Sequence, residues 1–182
     1  MADSNITKRA LASSLRLLMR EVPFEKINVT EICDGCDMNR KSFYYHFRDK
    51  YDLLNWIFDN EFIAVVSKKH IDNGYDFLML LCQHLYDNAE FYRKAFKVQG
   101  QNSFSEHFCE MLLPLQAEFM RQLFDKEDVD EFYINFFSDG FVAAIKRWIL
   151  DKNCIEPEKF VALLHSCVVQ SAEKVYDKKV KK

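Results

Sequence analysis

The stretch of sequence that decides the fold is residues 29–54, which read VTEICDGCDMNRKSFYYHFRDKYDLL. Val29 and Ile32 lie at the spacing of neighbours on one helix face, and so do Phe43 and Phe47. The polar residues between these two apolar stripes are too few to form a helix of their own. The pattern therefore predicts two short helices that meet at a tight turn and bury their stripes together.

The second of these helices carries the basic and aromatic residues of the stretch. Asn39 is a favourable N-cap, so we expect the helix to begin at Arg40. Its first turn holds Arg40, Lys41 and Ser42, where free backbone amides and the helix dipole favour a phosphate group or an electron-rich base edge. Side chains suited to backbone phosphates follow at Tyr44, Tyr45, His46 and Lys50. Such a helix is typical of proteins that read the major groove of DNA.

The same residues have a simpler interpretation, in which the aromatic side chains are core and the charges are solvated surface. We accept it for Phe43 and Phe47, because these two share one face of the helix. Tyr44 and Tyr45 cannot point into the same small core from that helix. DNA contact is therefore the preferred interpretation for the two tyrosines.

A family resemblance agrees with this interpretation. Residues 43–54, FYYHFRDKYDLL, resemble the signature that closes the DNA-binding domain of the TetR/AcrR family of bacterial transcriptional regulators. The likeness extends upstream through residues 23–29, PFEKINV, and covers roughly the first 55 residues. Carried over by position, it implies DNA contacts from Thr30, Arg40, Lys41, Ser42, Tyr44, Tyr45, His46 and Lys50. It also implies a small core formed by Leu11, Leu15, Ile32, Phe43 and Phe47.

One residue departs from the family pattern. The family usually has glycine at the turn between the two helices, where this chain has Asp37. Aspartate adopts a left-handed backbone more readily than most residues do, so we expect the turn to survive. The negative charge of Asp37 near the phosphates is expected to weaken DNA affinity.

The predicted fold is an all-α protein, and the resemblance implies an N-terminal head on a larger helical body. Only 4 of 182 residues are Gly and 3 are Pro, while 49% are hydrophobic, which favours long uninterrupted helices. We place a helix-turn-helix DNA-binding domain at residues 1–52 and a regulatory and dimerisation domain at residues 53–182. The whole chain has a net charge of −3, and its first 52 residues hold nine Lys or Arg against eight Asp or Glu. DNA binding therefore depends on where individual cations lie.

Apolar residues at helical spacing predict about nine helices in all. Residues 4–20 form the first of the three helices in the head, and Pro23 prevents its continuation. The two short helices of the helix-turn-helix follow. The remaining helices are predicted over residues 52–67, 75–86, 89–98, 104–124, 129–150 and 157–175.

The helix over residues 129–150 has two apolar faces, one with Phe132 and Phe136 and another with Phe137 and Phe141. A helix of this kind needs partners on both sides. We expect a two-fold, four-helix contact between subunits that also uses the last helix, and the resemblance implies the same homodimer. The predicted interface residues are Phe137, Gly140, Phe141, Ala144, Trp148, Leu164, Cys167, Val168 and Ser171. The alternative is that one larger monomer buries both faces.

An effector pocket in the body is a further expectation. The aromatic residues expected to line it are Phe91, Tyr92, Phe96, Phe104, Phe108 and Phe119. The alternative is that this aromatic stripe is plain core. A small apolar effector bound there would shift the protein between two spacings of its DNA-binding heads.

Three short segments point to one branch of the family. Residues 23–27 (PFEKI), 50–54 (KYDLL) and 145–148 (IKRW) resemble the branch that includes the dihydroxyacetone-kinase operon activator. In such a relative, a protein co-regulator would take the place of the small effector.

The chain contains no recognisable pattern of an enzyme, a cofactor site or a metal site. We find no glycine-rich phosphate loop, no nucleophile elbow and no paired acids in a catalytic setting. Cys33 and Cys36 form a C-x-x-C without a second close pair of ligands, so we expect free thiols. The sequence shows no signal peptide, and no apolar run approaches the ~20 residues that cross a bilayer. We therefore expect a cytoplasmic protein without a membrane partner.

The leading hypothesis is a homodimeric transcriptional regulator that binds double-stranded DNA at a palindromic operator. We expect a repressor whose binding to the operator is released or modulated by an effector or by a protein co-regulator. The competing hypothesis is a helical adaptor that keeps the head but has lost DNA binding, with Asp37 and the acidic net charge as its evidence. Salt dependence separates the two, because a protein that grips phosphates loses affinity steeply as salt rises.

Overall fold

A computed structural model of the protein describes residues 2–67, 71, 73–124 and 131–180. Side chains are described for residues 4–67, 71, 73–115, 117–118, 131–132 and 134–170. The described ranges contain nine α-helices, one 3₁₀ turn and no β-strand, which confirms the predicted all-α class. None of the helices in those ranges combines the length and the apolar character needed to cross a bilayer.

The helices follow the predicted order. They are α1 (Ala2–Glu21), α2 (Val29–Asp34), α3 (Arg40–His46), α4 (Lys50–Val66), α5 (Gly74–Asp87), α6 (Ala89–Ala95), α7 (Phe104–Phe124), α8 (Glu131–Leu150) and α9 (Pro157–Val180). The 3₁₀ turn at Phe24–Lys26 separates α1 from α2. Helix α6 ends earlier than predicted, because the backbone N–H groups of Lys97 and Val98 bond to carbonyls three residues back instead of four.

Two compact units make up the chain. The first comprises residues up to Ser67 together with Asn88–His107, and the second comprises Lys68–Asp87 together with Phe108–Lys182. The first unit therefore holds α1 to α4 and α6, and the second holds α5, α8 and α9. The domain boundary between residues 52 and 53 stays a prediction.

The core of the helix-turn-helix lies in the first unit, where α1 packs against α2, α3 and α4. The side chains of Leu11, Leu15, Ile32, Phe43 and Phe47 are all buried. These are the five residues that the family resemblance implied as core. Burial of apolar side chains of this size stabilises a fold by roughly 1.5–3 kcal/mol each.

Polar side chains set the starts of the two short helices. Asn28 accepts a hydrogen bond from the backbone N–H of Glu31, and Glu31 accepts one from the backbone N–H of Asn28, which is a capping box for α2. Asn39 accepts from the backbone N–H of Ser42 at 2.8 Å, so α3 begins at Arg40 as predicted. Helices this short are marginal alone, so caps and packing on α1 together hold them.

A close approach in this core joins α1 to α2. The buried hydroxyl of Ser14 donates to the carbonyl oxygen of Ile32 at 2.7 Å. A Cβ atom built on Gly35 would lie 2.4 Å from the Oγ of Ser14. The absence of a side chain at Gly35 therefore allows the end of α2 to touch α1.

In the second unit, α5, α8 and α9 pack against one another. The indole of Trp148 on α8 stacks on Phe160 of α9 with the ring centroids 4.6 Å apart, and it donates to the carbonyl oxygen of Ile155 at 2.8 Å. Tyr86 of α5 stacks on the same indole at 6.1 Å. The buried ring of Trp148 on α8 thus contacts both α5 and α9.

We expect Gly35→Ala to destabilise the protein by about 1–3 kcal/mol, because the new methyl group must displace Ser14 or separate α1 from α2. In a Ser14→Ala background the nearest side-chain atom left is the Cβ of residue 14 at 3.5 Å, which is ordinary contact. The cost of Gly35→Ala should then shrink to less than about 0.5 kcal/mol. Urea denaturation followed by circular dichroism measures this cycle, and equal costs in the two backgrounds would contradict it.

Candidate nucleic-acid interface

Helix α3 divides its side chains between the core and the solvent. Phe43 is 0% and Phe47 3% exposed, whereas Tyr44 is 51% and Tyr45 83% exposed. The rings of Phe43 and Phe47 lie 5.8 Å apart, and Phe47 meets the ring of Trp56 on α4 edge-on at 5.7 Å. These two phenylalanines hold α3 with its tyrosines outward.

The first turn of α3 presents its cations to solvent. Arg40 and Lys41 are exposed, and Ser42 is half-buried. The guanidinium of Arg40 donates to the hydroxyl of Tyr44 at 3.4 Å, one helical turn later. This hydrogen bond raises the pKa of Arg40. A charged guanidinium and a phenol therefore lie together along the exposed face.

The other predicted contacts surround this face. The ring of Tyr45 meets the half-buried ring of His46 edge-on at 4.9 Å. Thr30 is exposed in the first turn of α2. All of these side chains are at least partly accessible, as DNA contact requires, and their role in DNA binding stays a prediction.

Lys50 has a structural contact that sequence reasoning did not find. Its ammonium donates to the carbonyl oxygens of Phe24, Glu25 and Ile27 at 2.8, 3.1 and 2.7 Å. The three bonds use every donor of the ammonium and tie the 3₁₀ turn to the start of α4. Burial lowers the pKa of Lys50. Its predicted phosphate contact would have to replace one of these carbonyl oxygens.

Two further cationic side chains lie beside α3 and were not among the residues predicted from the sequence. Arg48 directly follows the C-cap of α3, and its side chain is 80% exposed with its Nε 3.8 Å from a carboxylate oxygen of Asp52. The ammonium of Lys8 lies 5.7 Å from the ring centroids of both Phe47 and Trp56. Arg48 lies within the family motif at residues 43–54, so the sequence alone could have identified it. Lys8 belongs to α1, so only the fold brings it here.

The turn between α2 and α3 contains a left-handed residue at the expected position. Asp37 has a φ of 54°, in the region that glycine adopts most readily. The backbone N–H groups of Cys36 and Met38 both bond to the carbonyl oxygen of Cys33 and close the turn. Asp37 is exposed two residues before the N-cap of α3, where its carboxylate opposes the approach of a phosphate.

Cys33 and Cys36 are free thiols in the structure. The thiol of Cys36 donates to the carbonyl oxygen of Ile32 at 3.4 Å. Burial raises the pKa of both thiols, which disfavours the reactive thiolate. Among the side chains described above, no group of three or more His, Cys, Asp or Glu residues is arranged to hold a metal ion.

The aromatic residues predicted to line an effector pocket are buried wherever the structure describes their side chains. Their described members, Phe91, Tyr92, Phe96, Phe104 and Phe108, are at most 9% exposed. The ring centroid of Phe104 lies 4.8 Å from that of Phe96 and 5.7 Å from that of Tyr92. Such distances are typical of an aromatic core and favour the core interpretation of this stripe. The side chain of Phe119 lies outside the described residues.

The residues predicted for the dimer contact divide between core and surface. Phe141, Trp148 and Val168 are only 5–6% exposed, so they belong to the core of the single chain. Phe137, Ala144 and Leu164 are half-buried, and Gly140 and Cys167 are exposed. The side chain of Ser171 lies outside the described residues.

Large exposed apolar side chains lie on the other apolar face of α8 and on α9. Phe132 is 67% exposed, Phe136 is 63% exposed, and Leu163 of α9 is 54% exposed. Both apolar faces of α8 have helical spacing, so the periodicity of the sequence does not show which of the two faces the chain buries.

A helical protein with a capped helix-turn-helix, whose second helix is exposed and cationic, has the architecture of a DNA-binding transcriptional regulator. Residues 11–57 match a family model described as bacterial regulatory proteins, tetR family. Residues 72–170, more than half of the chain, match a model described as a transcriptional regulator C-terminal region. The protein belongs to the TetR family of bacterial transcriptional regulators, which confirms the resemblance.

Two curated relatives are similar in sequence. The chain is 28% identical over 143 residues to the HTH-type dhaKLM operon transcriptional activator DhaS of Lactococcus lactis subsp. lactis (strain IL1403), across 78% of this chain and 74% of the relative. It is 26% identical over 85 residues to the transposon Tn10 TetC protein of Escherichia coli, across 44% of this chain and 43% of the relative. The predicted resemblance to the branch of the dihydroxyacetone-kinase operon activator is confirmed.

Two solved structures share the fold. The dihydroxyacetone kinase operon activator DhaS aligns with a TM-score of 0.66 at 23% identity, over 92% of this chain and 97% of that one. A TetR transcriptional regulator from Streptococcus agalactiae 2603V aligns with a TM-score of 0.71 at 19% identity, over 92% of this chain and 96% of that one. A helix-turn-helix head on a helical body is thereby confirmed.

We expect Lys50→Met to lower the free energy of unfolding by about 1–3 kcal/mol, because three carbonyl oxygens lose a charged donor. Lys41→Met is the matched control, since Lys41 is exposed on α3 and should change stability by less than about 0.5 kcal/mol. Urea denaturation of both variants measures the difference. If Lys50→Met unfolds at the same urea concentration as the wild type, the three hydrogen bonds of the Lys50 ammonium do not stabilise the fold, which would contradict the prediction.

Proposed function

We propose that this TetR-family regulator binds double-stranded operator DNA with α3 in the major groove. The observation that carries the proposal is the division of α3 into a buried face, with Phe43 and Phe47, and an exposed face, with Lys41 and Tyr45, below the exposed Arg40 at the start of the helix. The major groove of B-DNA is wide enough to admit one α-helix. A short helix that is held outward by its own apolar side fits that groove.

The side chains have two roles in this proposal. Arg40, Lys41 and Ser42 read base edges, because the N-terminal residues of a recognition helix reach the bases. The contacts to the sugar-phosphate backbone come from Thr30, Tyr44, Tyr45, His46 and Lys50. Arg48 joins this second group, since its exposed guanidinium suits a phosphate.

We further propose a homodimer on a palindromic operator. Its support is the exposed pair Phe132 and Phe136 on α8, together with exposed Leu163 and Cys167 on α9. Exposed apolar side chains of this size on α8 and α9 are the kind of surface that a second copy of the chain would cover. A two-fold axis would present the two α3 helices to inverted half-sites about 34 Å apart.

We propose repression as the sign of regulation, with occupancy of the operator modulated by a small apolar effector or by a protein co-regulator. Activation is the second candidate, because the relative from Lactococcus lactis is a transcriptional activator. A promoter fusion distinguishes the two, since loss of the protein raises the output of a repressed promoter and lowers that of an activated one. The place of action is the cytoplasm, where bacterial DNA lies.

The exposed carboxylate of Asp37 favours one other function, that of a helical adaptor that keeps the head without binding DNA. A negative charge beside the recognition helix repels the duplex. The adaptor has no salt-dependent DNA affinity to lose, whereas the regulator loses affinity steeply as salt rises. Binding measured across a salt series therefore separates the two functions.

We expect protection footprinting at low salt to show two inverted half-sites about 34 Å apart, centre to centre. Arg40→Ala or Lys41→Ala should weaken binding about tenfold and change the preferred base, whereas Tyr44→Phe should weaken binding to all sequences alike. Lys159→Ala, on the exposed side of α9, is the control and should leave the footprint unchanged. The absence of protection at every salt concentration would favour the adaptor.

We expect Phe136→Glu to convert the dimer to monomers, because each covered aromatic ring contributes roughly 150–250 Å² to such a contact. Ile6→Glu on α1 is the matched control, since Ile6 and Phe136 are both 63% exposed. Sedimentation velocity measures the mass of each variant. A dimer that survives Phe136→Glu, or that Ile6→Glu also dissociates, would place the subunit contact elsewhere.

A further inference from the structure

A groove of about 330 Å³ lies within the first unit, where the C-terminal ends of α1 and α6 approach each other. The apolar part of its lining comes from Val22, Pro23 and Phe24, the segment that leads from α1 into the 3₁₀ turn. A volume of this size lies at the lower end of the range for pockets that bind small organic molecules. The groove therefore suits a small ligand with an apolar part.

Hydrogen bonds hold the two sides of this groove in place. On one side, the ammonium of Lys50 donates to the carbonyl oxygens of Phe24 and Glu25 and lies 4.6 Å from the ring centroid of Phe24. On the other side, the ammonium of Lys94 on α6 donates to the carbonyl oxygen of Arg20 in the last turn of α1 at 2.7 Å. The groove is therefore formed before a ligand enters, which lowers the entropic cost of binding.

The charged side chains of the lining favour an anion. Arg20, Lys94 and Lys97 contribute three positive charges, and the exposed carboxylates of Glu21 and Glu25 contribute two negative ones, so the lining has a net charge of +1. The side chains of Arg20 and Lys97 are exposed and form no hydrogen bond or ion pair within the part of the chain that the structure describes. These two cations are therefore available to a carboxylate, which binds a guanidinium through two hydrogen bonds.

We propose that this groove is a binding site for a small organic carboxylate with an apolar body. The carboxylate binds the side chains of Arg20 and Lys97, and the apolar body packs against Val22 and Pro23. The site differs from the predicted effector pocket, whose described aromatic residues are buried and do not line the groove. The inference goes beyond the proposed function, because no residue proposed for DNA binding or for the dimer contact lines the groove.

The test uses phenylacetate as the probe and phenylacetamide as its neutral counterpart of nearly the same shape. Each compound is titrated into the isotope-labelled full-length protein without DNA, and two-dimensional NMR spectra report both the affinity and the location. We expect phenylacetate to bind with a Kd of about 1 mM, as is usual for a ligand of this size. The largest shifts should fall on the amides of residues 20–25 and 94–97. Phenylacetamide should bind about tenfold more weakly, because it lacks the charge.

Two variants test the charged side of the site. Arg20→Gln and Lys97→Gln should each weaken phenylacetate binding about fivefold, because each removes a cation from the lining. Both side chains are exposed, so neither change should affect folding. Lys26→Gln is the matched control, since Lys26 is an exposed cation in the 3₁₀ turn that does not line the groove. Its affinity for phenylacetate should stay within about twofold of the wild type.

Three results would overturn the inference. The first is a titration in which the amides of residues 20–25 and 94–97 do not shift. The second is equal affinity for phenylacetate and phenylacetamide, which would show that the groove does not recognise charge. The third is an equal loss of affinity in Lys26→Gln and Lys97→Gln, which would indicate general attraction of anions to the surface. All measurements are made without DNA, so these results and the footprint of the proposed function are independent of each other.

Discussion

The burial of Phe43 and Phe47 is the constraint on which the rest of the interface depends. Helix α3 has seven residues and cannot be stable by itself, so the packing of these two rings determines its orientation. Because side chains four residues apart share one face of a helix, the opposite face must carry Lys41 and Tyr45 outward, while Arg40 is exposed at the first position of the helix. The polar surface of α3 is therefore a consequence of its apolar side.

The features that the sequence predicted correctly are local ones. The start of α3 follows from the side chain of Asn39, three residues from the amide that it caps, and the buried face of α3 follows from the spacing of two phenylalanines. The carbonyl oxygens that bind Lys50 lie 23 to 26 residues before it in the chain. No pattern within a helix predicts a contact of that kind, because the fold alone brings its partners together.

The two faces of α8 show a different limit of what the sequence predicts. Helix α8 carries two apolar faces, and each has the spacing expected of a buried one. Phe141 and Trp148 are buried whereas Phe132 and Phe136 are exposed, a choice made by the packing of α5 and α9. The same holds for Tyr92 and Phe104, since a stripe of aromatic residues has one periodicity whether it fills a core or lines a cavity.

The two tryptophans of the chain lie in different units and in different surroundings. Trp56 is half-buried beside Phe47 and the ammonium of Lys8, whereas Trp148 is buried in a stack with Phe160. Indole emission depends on its surroundings, so replacing either ring by phenylalanine leaves an optical signal from the other unit alone. The molecule thus contains one natural fluorophore close to its recognition helix and a second within its C-terminal helices.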